Sequence, residues 1–85
     1  MDDVKYLFIS ILVFDGEMRH DHRVITMTRA KNIEFAAQNY VAHYYGYGER
    51  DHNDWSFHGG TIIARLVNYE EITKEEYYRL NELFV

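Results

Sequence analysis

Eighty-five residues, 47% hydrophobic and 27% charged with a formal net charge of −5, predict one soluble globular domain spanning residues 1–85. The absence of cysteine excludes a disulfide framework, a thiolate metal site and a cysteine nucleophile. The absence of proline excludes Pro-rich linkers and recognition segments. A chain this short has a thin core, so stability has to come from large side chains, and the 16% aromatic content with eight tyrosines supplies them.

Lys5 to Asp15 reads as a strand. Leu7, Ile9, Ile11 and Val13 point one way, and Tyr6, Phe8, Ser10, Leu12 and Phe14 the other. Both sets are mostly apolar, which predicts a central strand covered on at least part of both faces. The same run is far shorter than the ~20 apolar residues of a membrane helix. It follows Met1-Asp2-Asp3-Val4-Lys5 rather than a basic signal-peptide region, so the sequence predicts a cytoplasmic protein without a membrane segment.

Asp15-Gly16 opens a polar connection over Glu17 to Asp21, followed by a half-buried strand from His22 to Thr28. There Val24, Thr26 and Thr28 alternate with Arg23, Ile25 and Met27, and the short connection implies an antiparallel hairpin. A helix then starts at the N-cap Asn32, with Glu34 placed favourably in the first turn. Ile33, Ala36, Ala37, Tyr40, Val41 and Tyr44 form its buried stripe, and Gly46 suits its C-terminal end.

Tyr47 to Asp54 reads as a polar loop. Trp55 to His58 reads as a short strand turning at Gly59-Gly60 into a strand from Thr61 to Asn68. On that last strand Ile63 and Val67 share one face with Arg65, and Ile62, Ala64 and Leu66 the other. Thr73-Lys74-Glu75-Glu76 is a capping box, and Ile72 and Tyr77 stand at the positions of a hydrophobic staple. Tyr77, Leu80 and Phe84 continue as an apolar stripe. The order is ββαββα. It predicts an α+β fold with a three- to four-stranded, mainly antiparallel sheet and two helices on one face.

The segment Phe57-His58-Gly59-Gly60-Thr61-Ile62-Ile63-Ala64-Arg65-Leu66, followed by Tyr69-Glu70-Glu71-Ile72-Thr73-Lys74-Glu75-Glu76-Tyr77, resembles the C-terminal half of short uncharacterised proteins of bacterial phages and mobile elements. The resemblance carries no active-site motif. It implies an accessory protein of that setting and nothing about mechanism.

Five histidines are the compositional oddity of the chain. His20-Asp21-His22 lies by the first hairpin and Asp51-His52-Asn53-Asp54 after the first helix. If the helix runs back toward the hairpin tip, both sets share one end of the molecule. His20, His22, Asp51, His52 and Asp54 then form a candidate site for a divalent ion, since imidazole and carboxylate suit zinc or nickel. The competing account is that these are solvated loop residues.

Catalysis finds little material. Ser10 and Ser56 stand beside no His-Asp pair, Glu70-Glu71 and Glu75-Glu76 are neighbours in sequence only, and Gly46-Tyr47-Gly48 precedes no helix. Arg19, Arg23, Arg29 and Lys31 along the second strand suit either nucleic acid or a charged, solvated sheet edge. The sequence therefore predicts a non-enzymatic protein-interaction module with no cofactor, binding a protein partner or a second copy of itself. Its contact residues would be Tyr45, Tyr47, Trp55 and the acidic Glu71, Glu75 and Glu82. The alternative is the His/Asp metal-binding domain. A nucleic-acid binder ranks third.

Overall fold

The structure, a computed structural model, describes residues 3–84 apart from the Phe84 side chain. Met1, Asp2 and the Phe84 ring of the predicted C-terminal stripe therefore lie outside the described residues. The elements are β1 (Lys5–Asp15), β2 (Met18–Thr28), α1 (Ile33–Ala42), β3 (Glu49–Asp51), β4 (Asp54–Phe57), β5 (Ile62–Ile72) and α2 (Lys74–Phe84). The strands form one sheet in the order β2-β1-β5-β4-β3, and every neighbouring pair is antiparallel.

The α+β class stands, with five strands where three or four were expected. The added strand is β3, inside the segment read as a polar loop. Its residues Glu49, Arg50 and Asp51 are all exposed, so no hydrophobic alternation announces it. It exists because β4 offers it a ladder, Glu49↔Ser56 to Asp51↔Asp54.

β1 is an interior strand, between β2 and β5, as its two apolar faces imply. Leu7, Ile9, Ile11 and Val13 are buried with Ala37 and Val41 of α1, Trp55 and Phe57 of β4, and Ala64 and Leu66 of β5. The alternate residues Tyr6, Phe8, Leu12 and Phe14 are only half-buried on the second face.

The first hairpin is tighter than predicted. Asp15 pairs with Met18, so only Gly16 and Glu17 form the loop, and β2 begins where a polar connection was expected. Gly16 takes φ +62° at the first central position, the geometry a two-residue II′ turn reserves for glycine. Polar residues such as Arg19 and Asp21 fit a strand here because β2 is the sheet edge.

α1 begins as expected. The Asn32 Oδ1 accepts from the Glu34 and Phe35 amides at 2.9 and 3.2 Å, covering two of the orphan donors of the first turn. At α2 the capping box forms in both directions. The Glu76 amide donates to Thr73 Oγ1 and the Thr73 amide to Glu76 Oε1, each at 3.0 Å.

The two helices do not share a face, which corrects the predicted layering. α1 covers the Leu7–Val13 side of the sheet. α2 packs on the other: the Tyr77 ring lies 5.0 Å from that of Tyr6, whose side chain points away from the α1 face. The cause is a bulge in β5. Ile11 pairs with Leu66 but Ser10 with Asn68, leaving Val67 as the extra residue. One inserted residue reverses the side of everything after it. Ile62, Ala64 and Leu66 therefore face α1, whereas Asn68, Glu70 and Ile72 face away, and the helix launched after Ile72 follows them.

Candidate functional site

The histidines and acids predicted to converge are divided across the sheet. His20 and His22 lie on β2; Asp51, His52 and Asp54 belong to the β3–β4 hairpin at the opposite edge. At ~4.8 Å per strand step, those two edges stand roughly 19 Å apart. Among the described residues no group of three or more His, Cys, Asp or Glu side chains is placed to hold a metal ion. The candidate metal site is thus broken by topology. The chain after α1 adds its hairpin beyond β5, instead of returning beside β2.

Each half has its own local partners. His22 Nδ1 lies 2.7 Å from the Tyr44 hydroxyl, and the rings meet edge-on. Tyr40, Tyr44, Tyr45 and Phe57 continue as a chain of ring contacts across the end of α1. Burial raises the Tyr40 phenol above its ordinary value. It does the same at Tyr44, where Tyr45 and Tyr40 add to the effect. These phenols are therefore neutral packing groups at ordinary pH. On the far edge His52 Nδ1 meets Asp51 at 2.8 Å, both exposed. Asp54 is engaged by Arg65 through two contacts, 2.8 and 3.2 Å, while that guanidinium also lies over the Phe14 ring.

The predicted contact residues also separate. Trp55 is only 2% exposed, with Arg50 stacked over it at 5.2 Å, so it belongs to the core and offers no ring to a partner. Tyr45 is half-buried against Phe57, whereas Tyr47 is 81% exposed. Glu71, Glu75 and Glu82 are exposed but form no single ridge. Glu71 pairs with Leu7 and shares the α1 side of the sheet; Glu75 and Glu82 stand on α2, on the other. The arginines of β2 are likewise not a uniform basic stripe, because Asp21 stands between Arg19 and Arg23 on one face.

What the fold does leave open is the outer side of β2. The Gly16 amide donates to the Thr61 carbonyl at the β5 side, so even-numbered residues of β1 bond β5 and odd-numbered ones bond β2. Val13↔His20, Ile11↔His22 and Ile9↔Val24 are then the hydrogen-bonded pairs of the hairpin. It follows that Arg19, Asp21, Arg23, Ile25 and Met27 direct both backbone N–H and C=O outward. Beside this edge, on the α1 face, lies a recess lined by Thr26, Thr28, Phe35, Ala36 and Tyr40. Phe35 in this recess is 61% exposed, and so is Met18 at the opposite, hairpin end of β2.

The sequence carried one signal of this site. Charged residues interleaved with β-branched ones along the second strand are the pattern of a solvated edge. Compared with known protein families, with curated proteins and with solved structures, the chain gives no match. No helix among the described residues is long and apolar enough to cross a membrane.

Proposed function

We propose that the chain is a protein-interaction module, without catalytic activity of its own, that binds through the outer edge of β2. The observation carrying this reading is an eleven-residue strand at the sheet margin with a full row of outward backbone donors and acceptors. Such an edge accepts an added strand. Main-chain hydrogen bonds supply affinity and alternate side chains supply selectivity. An accessory or inhibitory protein of a phage or mobile element, the setting to which the C-terminal resemblance points, would act through such an edge.

The test compares the two margins of the sheet in cells that make the protein. A photo-crosslinking residue is placed at Arg23 on β2 or at Glu49 on β3. The expected result is covalent protein adducts from Arg23 and none from Glu49. Equal labelling at both positions, or none at either, refutes the reading.

A further inference from the structure

Resting on the edge reading above, we infer that the strand added to β2 is β2 of a second copy, antiparallel, with His22 opposite His22 on a two-fold axis. The argument begins with what symmetry allows. A two-fold axis normal to the sheet keeps the faces continuous, so each residue meets a residue of the same face. Only a few registers are then available, and the charges of β2 choose among them. An axis at Asp21 sets Asp21 against Asp21 and Arg19 against Arg23. An axis at Arg23 sets Arg23 against Arg23. Both place like charges directly opposite, which is destabilising. An axis at Val24 pairs Asp21 with Met27 and Arg23 with Ile25, and one at Ile25 pairs Arg23 with Met27, so neither sets opposite charges against each other within the strand. An axis at His20 does match Arg19 with Asp21, but only Met18 to His22 of the strand then overlap.

An axis at His22 pairs Asp21 with Arg23 of the second copy on both sides of the two-fold, and strand pairing extends from Met18 to Thr26. Both side chains are exposed in the single chain and lie on the face away from α1. The other face supplies a second, separate fit. In this register Met18 stands opposite Thr26 of the second copy. Its side chain is then on the α1 face, beside the recess of Thr26, Phe35 and Tyr40. A 61%-exposed methionine thereby reaches a recess of mixed lining at the 61%-exposed ring of Phe35, and the contact recurs by symmetry. Charge on one face and shape on the other select the same register. The product is a continuous sheet with β3 at both outer margins.

Sedimentation equilibrium reads the assembly directly. The unaltered chain is expected to dimerise. Asp21→Arg alone and Arg23→Asp alone each set like charges across the axis and are expected to raise the dissociation constant about tenfold or more. An equal mixture of those two variants restores both opposite-charge pairs and is expected to recover the dimer as a heterodimer. Circular dichroism checks that each variant is folded. An isotope-filtered NMR experiment on a labelled and unlabelled mixture of the unaltered chain should show the Met18 methyl of one copy against Thr26 and Phe35 of the other.

A chain that stays monomeric up to about 1 mM overturns the self-pairing. The Arg23 and Glu49 crosslinks then still decide the edge reading, because a foreign strand on β2 labels Arg23 without any dimer. A dimer insensitive to the charge reversals, or one lacking the Met18 contact, overturns the inference as well.

Discussion

The two margins of the sheet handle the same physical problem in opposite ways. β3 closes its side with three exposed, charged residues, too short a ladder to template another strand. It is also held from beneath: Trp55 and Phe57 of the adjoining β4 are buried in the core, and Arg50 lies over the indole. β2 runs the full length of the hairpin. Its only core contribution is the half-buried Val24, and its outward amides lack a strand partner among the described residues. A strand locked by large buried rings serves stability; a long one left half-dressed serves association.

The largest effect that sharpens this contrast is expected at Trp55. Trp55→Ala removes a fully packed ring and should cost about 3–5 kcal/mol in denaturant unfolding, whereas Val24→Ala on β2 should cost about 1–2 kcal/mol. Equal losses would break the comparison. Next come two prolines on neighbouring residues of β2. Val24→Pro removes an N–H bonded to β1 and should cost about 3 kcal/mol or more, while Arg23→Pro, whose N–H points outward, should cost about 1 kcal/mol. Thermal unfolding of the pair checks the assigned ladder, and the reverse order would overturn it.

Gly48 tests how tightly the closed margin is seated. A Cβ there would meet the Phe57 ring at 2.7 Å, and the Gly48 amide already donates to the Ala42 carbonyl at 2.9 Å. Gly48→Ala is expected to destabilise by about 1–3 kcal/mol, read from the shift in unfolding midpoint. The smallest effect is at the start of α2, where Thr73→Ala should cost about 1 kcal/mol.

That cap also has a pH signature. The Thr73 amide, then the Thr73 side chain, hold the Glu76 carboxyl below its ordinary value of 4.5. Lowered in the folded state, it favours folding above that value, and the contribution is lost as pH falls through the folded pKa. Tyr40 and Tyr44 act at the other limit. Raised above the ordinary value of 10.0, they favour folding fully below it, and that support fades as alkali ionises the unfolded chain first. Acid titration of the α2 amides and alkaline unfolding followed at 295 nm check the two signs.

Much of the local structure was legible in residue order. Asn32 and the Thr73–Glu76 box announced both helix starts, because caps are contacts within a turn. The strand alternation of β1 and the place of the Gly59-Gly60 turn were likewise local, although Phe57 pairs with Ile62 and the turn takes four residues instead of a tight glycine pair. The loop expected after Gly16 was too long, since polarity there reported solvent exposure and not the end of pairing. The candidate site was legible only as a charged, β-branched strand. Its actual opening depends on which neighbour β2 lacks.

By itself the amino-acid order determined the caps, the alternation of β1 and the β1–β2 and β4–β5 hairpins, all set by interactions spanning a few residues. Tertiary structure decided the rest. Whether His20 meets His52 depends on whether the β3–β4 hairpin adds beyond β5 or beside β2, and whether α2 joins α1 depends on one extra residue at Val67. Both are choices of pairing between distant segments. A shift by a single residue changes the face of every side chain beyond it, and no local propensity records that choice.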